Sequence, residues 1–90
     1  MHPQKLLEKL ARGSLTNVAF PDLAMLVETF GFRQLRTAGS HHIFAHPGIP
    51  ELINLQNVKG EAKPYQIRQF LRLVEKYNIK LILQGKREKG

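Results

Sequence analysis

Phe32-Arg33-Gln34-Leu35-Arg36-Thr37-Ala38-Gly39-Ser40-His41-His42-Ile43-Phe44-Ala45-His46 decides the fold of this chain. Residues 32–37 and 41–46 read as two short strands, and Ala38-Gly39-Ser40 between them reads as the turn of a hairpin. A third strand is predicted over 52–56, after the loop Pro47-Gly48-Ile49-Pro50. Strand side chains alternate between faces, so His42, Phe44 and His46 share one face while His41, Ile43 and Ala45 share the other. Phe44 assigns the first face to the core. Ile53, Leu55 and Leu35 then join it, and Gln34, Arg36, His41, Asn54 and Gln56 are left together on the open face. A two- or four-residue loop centred on Ala38-Gly39 would set Arg36 directly opposite His41.

Helical patterns flank this ribbon. Pro3 suits a first helical turn, and Leu6, Leu7 and Leu10 form one face of a helix over 3–12 that Gly13 and Ser14 end. A second helix starts at Pro21, with Asp22 near its positive end, and carries Leu23, Leu26, Val27 and Phe30 to a stop at Gly31. After the polar stretch 57–63, Pro64 opens the longest helix, with Ile67, Phe70, Leu71, Val74 and Tyr77 as its apolar stripe. The segment 79–83 reads either as a fourth strand or as an extended stretch on the core. The order predicts an α+β domain: a three-stranded antiparallel sheet, helices on one face, and an extra N-terminal helix.

Ninety residues, 42% of them apolar and 23% charged, suit one small soluble domain. The expected division is a single domain over 1–84, with its core at 21–77, and a solvated basic tail at 85–90. The absence of cysteine excludes disulfides, thiol nucleophiles and cysteine-held metal sites. With no long apolar run and no signal-like start, the sequence predicts a cytoplasmic protein without a membrane partner. The formal charge is +7, from 14 Lys and Arg against 7 Asp and Glu. Residues 1–45 hold five basic and three acidic groups and residues 46–90 nine and four, so the second half carries most of the excess. Such a balance points to a polyanion or an acidic partner.

His41 is the chemically interesting group, since it is the one imidazole expected on the polar open face. Most exposed hairpin histidines have no function, and His42 reads as a partly buried, hydrogen-bonded residue beside the core. His42 and His46 are four residues apart on a strand, about 13 Å, too far to share one metal ion. No metal site and no cofactor are predicted. Lys63-Pro64-Tyr65-Gln66 is a second cluster, where the amides of Tyr65 and Gln66 at a helix N-terminus would suit a phosphate. A plain helix start is the commoner explanation. Arg68 and Arg72 extend a basic strip that also fits an ordinary solvent face.

Gly39-Ser40-His41-His42-Ile43-Phe44 with His46-Pro47, preceded by Phe30-Gly31-Phe32, resembles the HicA family, the small toxins of HicA–HicB toxin–antitoxin pairs. The resemblance covers roughly 21–77. It implies a double-stranded-RNA-binding-domain-like fold, ribosome-independent mRNA cleavage, and a HicB-like antitoxin that masks the active face. The family's catalytic histidine follows the Gly-Ser pair and maps onto His41, with His42 in reserve because some relatives have it one position later. As a general base His41 would take the proton of a ribose 2′-hydroxyl without a metal. Arg36 and Lys63 are candidates for stabilising the developing charge, and Ser40, Gln56 and Tyr65 for positioning the RNA. The chain departs from minimal members after the third strand, at 55–60 and 63–66, and in its longer last helix, which marks a divergent branch. The alternatives are a non-catalytic RNA-binding module on the same fold and a protein-binding module with a basic surface.

Overall fold

The computed structural model describes residues 2–80. In chain order the elements are α1 (Pro3–Ala11), α2 (Phe20–Thr29), β1 (Arg33–Ala38), β2 (His41–His46), β3 (Ile49–Val58), β4 (Glu61–Ala62) and α3 (Pro64–Lys76). The strands form one antiparallel sheet in the order β1-β2-β3-β4. The α+β class and the helix starts at or beside the three prolines agree with the sequence pattern, and the sheet gains a fourth, two-residue strand within the polar stretch 57–63. Of the segment 79–83 only Ile79 and Lys80 are described; Ile79 packs against the core, and the rest lies outside the described residues.

The core fills one side of the sheet. Phe44, Ile53 and Leu55 point from the strands toward Leu23, Leu26 and Val27 of α2 and Ile67 and Phe70 of α3, all of them fully buried or nearly so. Phe70 binds the layers together, meeting Phe30 edge-on at 5.4 Å and Phe32 at 6.0 Å between ring centroids. Such edge-to-face pairs are each worth about 0.5–1.5 kcal/mol beyond area burial. Leu6 and Leu10 bury the inner face of α1 against α2, so the N-terminal helix is part of this core.

The hairpin closes one residue later than a turn centred on Ala38-Gly39. Gly39 takes φ +62°, Ser40 does not turn positive, and Ala38 pairs with His41, the pattern of a two-residue type II′ loop. Arg36 therefore faces Ile43, not His41. A β-bulge between Gln34 and Arg36 corrects a second expectation. The extra residue, Leu35, is 56% exposed instead of buried, and Gln34 pairs with Phe44 on the helix-side face, where its amide donates to Thr37 Oγ1 at 2.6 Å. A bulge puts two residues opposite one and so reverses the alternation on one side of it. β3 also starts earlier than the pattern suggested: Ile49 and Pro50 are strand, leaving Pro47-Gly48 as the turn.

Candidate active site on the open sheet face

The four histidines have four different environments, and the geometry sorts them. His2 Nδ1 accepts from the Gln4 amide and caps α1. His46 Nδ1 accepts from the Gly48 amide at 2.9 Å, and its ring stands edge-on to Phe32 at 5.0 Å, so it supports the β2–β3 turn. His42 tilts against Phe20 at 4.6 Å on the core side, opposite Thr37. Its Nδ1 is buried without a hydrogen-bond partner, which corrects the expectation that it is hydrogen-bonded.

His41 is the exception, because it alone projects from the open face. β3 lies beside it, with Gln56 directly opposite and Asn54 opposite Ile43, one diagonal step away. The His41 ring meets Asn54 across that diagonal, Nδ1 to Oδ1 at 3.0 Å. On the other flank Ala38 is opposite and Arg36 diagonal. Diagonal neighbours on antiparallel strands are about 7–8 Å apart, within reach of an arginine. Gln56 Nε2 approaches Ser40 Oγ at 3.5 Å, the outer limit of a hydrogen bond, so turn and third strand meet beside the imidazole.

Of the residues singled out by the sequence, the sheet thus collects His41, Arg36, Ser40 and Gln56 on or at the edge of one open face. His42 is turned away from it. Lys63 and Tyr65 form a separate pair at the start of α3, with Lys63 Nζ 5.8 Å from the centre of the exposed Tyr65 ring. Among the described residues no hydrogen bond or ring contact joins them to His41. Lys63 follows the last β3–β4 pair, Asn57–Ala62, and is the N-cap of α3. The helix N-terminus is less open than expected: the Gln66 amide donates to the Lys63 carbonyl at 3.0 Å, leaving Tyr65 as the free amide of that pair.

Two supporting residues are visible only in the structure. Alternation puts Asn54 on the open face, but its contact with His41 depends on the register between β2 and β3. Gln66 is only 3% exposed and its Oε1 accepts the Gln56 amide at 2.6 Å, holding the outer edge of β3 where the two-residue β4 cannot. Its signal was spacing, since Gln66 precedes Phe70 by one helical turn and falls on the buried stripe.

The domain is thus a small antiparallel sheet with helices on one face and, on the other, a single imidazole among amides and an arginine. Residues 20–75 match the family model described as HicA toxin of bacterial toxin–antitoxin systems, more than half of the chain. The chain belongs to the HicA toxin family. No curated protein and no solved structure gave a significant match. The matched span runs from the start of α2 to the end of α3, and α1 precedes it. Among the described residues no helix is long and apolar enough to cross a membrane.

Proposed function

We propose that the chain is a metal-independent endoribonuclease, the RNA-cleaving member of a toxin–antitoxin pair, with His41 as general base. The observation that carries this reading is the sorting of the histidines: three serve a cap, a turn and a ring contact, and His41 alone stands on the open polar face. In the reaction His41 removes the 2′-hydroxyl proton. The 2′-oxygen then bonds to phosphorus, the bond to the 5′-oxygen breaks, and the departing oxygen takes a proton from water, leaving a cyclic phosphate and a 5′-hydroxyl. His41 returns its proton to solvent.

Arg36 on the adjacent strand stabilises charge on the phosphate, and Ser40 and Gln56 position the ribose beside it. Lys63 and the Tyr65 amide hold a neighbouring phosphate at the start of α3, where the helix dipole favours an anion. RNA is the substrate, and a HicB-like antitoxin covers the same face in the cytoplasm until it is removed.

The test is incubation of wild type and His41→Ala with a mixed mRNA in EDTA, with fragments read on a denaturing gel. Fragments with wild type alone support the reading. Equal fragments with both proteins reject His41 as the base. Intact RNA with both, together with salt-dependent binding, would replace the reading with a non-catalytic RNA-binding module.

A further inference from the structure

We infer that Asn54 is a positioning residue that fixes the tautomer and orientation of His41, making Nε2 the nitrogen that meets the substrate; this rests on His41 being the base. The sheet places the pair by register, since Asn54 lies opposite Ile43 and so stands diagonal to His41 on the same face. Their contact, Nδ1 to Oδ1 at 3.0 Å, spans two strands. An amide oxygen can only accept, so the imidazole must donate, and Nδ1 carries the hydrogen. The lone pair of the neutral ring is then on Nε2. The hydrogen bond made by one ring nitrogen decides the state of the other.

Access leads to the same nitrogen. Nδ1 is covered by Asn54, while no described side chain or backbone group bonds Nε2. A general base needs an unprotonated nitrogen within hydrogen-bond reach of the proton it takes. The Nδ1–H donor is also present in both the neutral ring and the imidazolium, so the Asn54 contact persists while the proton moves and no reorganisation is needed. Asn54 is itself exposed, which separates this role from core packing. His42 shows the contrast: one position along, its Nδ1 has no partner, and nothing comparable fixes its tautomer.

The experiment uses the full chain labelled with ¹⁵N and long-range proton–nitrogen correlation NMR of the histidine rings above their titration range. In wild type, His41 Nδ1 should have the shift of a protonated nitrogen and Nε2 that of an unprotonated one. Asn54→Ala should move the ring toward the opposite tautomer with backbone amide signals otherwise unchanged. Asn54→Asp, which keeps an acceptor and adds a charge, should retain the wild-type tautomer. In single-turnover cleavage Asn54→Ala should lower the rate about threefold to tenfold, as expected for one hydrogen bond lost. Asn54→Asp should retain cleavage and shift the acid limb of its pH profile upward, because a carboxylate stabilises the imidazolium. A wild-type His41 protonated on Nε2 would overturn the inference, as would a tautomer unchanged in Asn54→Ala. The ring spectra are read without RNA, so loss of the nuclease reading and loss of the Asn54 assignment give different results.

Discussion

The two ends of the β2–β3 ribbon are built for different purposes. At the His46 end polar groups are tied down: His46 is bonded to the turn, and Glu51 accepts from Tyr77 Oη at 2.5 Å and Lys76 Nζ at 3.0 Å, joining β3 to the C-terminal end of α3. At the His41 end the polar groups face outward. Backbone bonds from Asn57 to Ser40 and the Gln66 clasp hold the strands there, leaving the His41, Arg36 and Gln56 side chains on the open face. The strand pair is therefore bonded at both ends, while only one end presents its polar side chains on the open face.

The sharpest way to break that contrast is to exchange the fates of the adjacent histidines. His41→Ala should lower cleavage by about 10² to 10⁴, the usual worth of a general base, with little change in Tm. His42→Ala should lower Tm through loss of its contact with Phe20 while retaining most cleavage. Activity assays beside thermal melts decide it, and a dead but stable His42 variant would invert the assignment.

Phe70→Ala tests the shared support beneath both ends. It should cost about 3–5 kcal/mol in denaturant unfolding, since a fully buried ring leaves a cavity touching Phe30 and Phe32. Gln66→Ala should cost about 1–3 kcal/mol by leaving the Gln56 amide unpaired, and hydrogen exchange should accelerate at Gln56 before it does at the His46 end. Arg36→Ala should weaken RNA binding and reduce the magnitude of the log–log salt slope by about one, measured by titration from low to moderate salt.

The smallest effect belongs to the tied-down end. Hydrogen bonds from Tyr77 and Lys76 hold the Glu51 carboxyl below its ordinary range, and the same contacts raise Lys76 and Tyr77. A lowered carboxylate stabilises the fold above its unfolded-state pKa, and that contribution is lost as pH falls through the folded value. Glu51→Gln should therefore flatten the acid side of the stability curve slightly and leave cleavage unchanged; an equal acid loss in wild type and variant would remove Glu51 from the account.

Local patterns made most of the fold legible. The stripes of α1, α2 and α3, the strand His41–His46 and the opposite orientations of His41 and His42 all follow from periodicity within a few residues. What resisted reading depended on pairing. Whether the turn is centred on Ala38-Gly39 or Gly39-Ser40 is a one-residue choice, and Leu35 is exposed because a bulge, invisible in its own alternation, inserts it. β4 has too few residues to leave a pattern, and the spacing that puts Gln66 on the buried stripe does not show that its partner is the Gln56 amide.

By itself the sequence determined the α+β class, the helix starts at proline, and the Gly-Ser-His motif that resembles the HicA family. Only the tertiary structure decided which residues surround that histidine: Asn54 bonded to it, Gln56 across from it and Arg36 on the diagonal. The physical reason is that side-chain direction within a strand has a period of two and is fixed locally, whereas the register between strands is fixed by turn geometry, bulges and burial acting together.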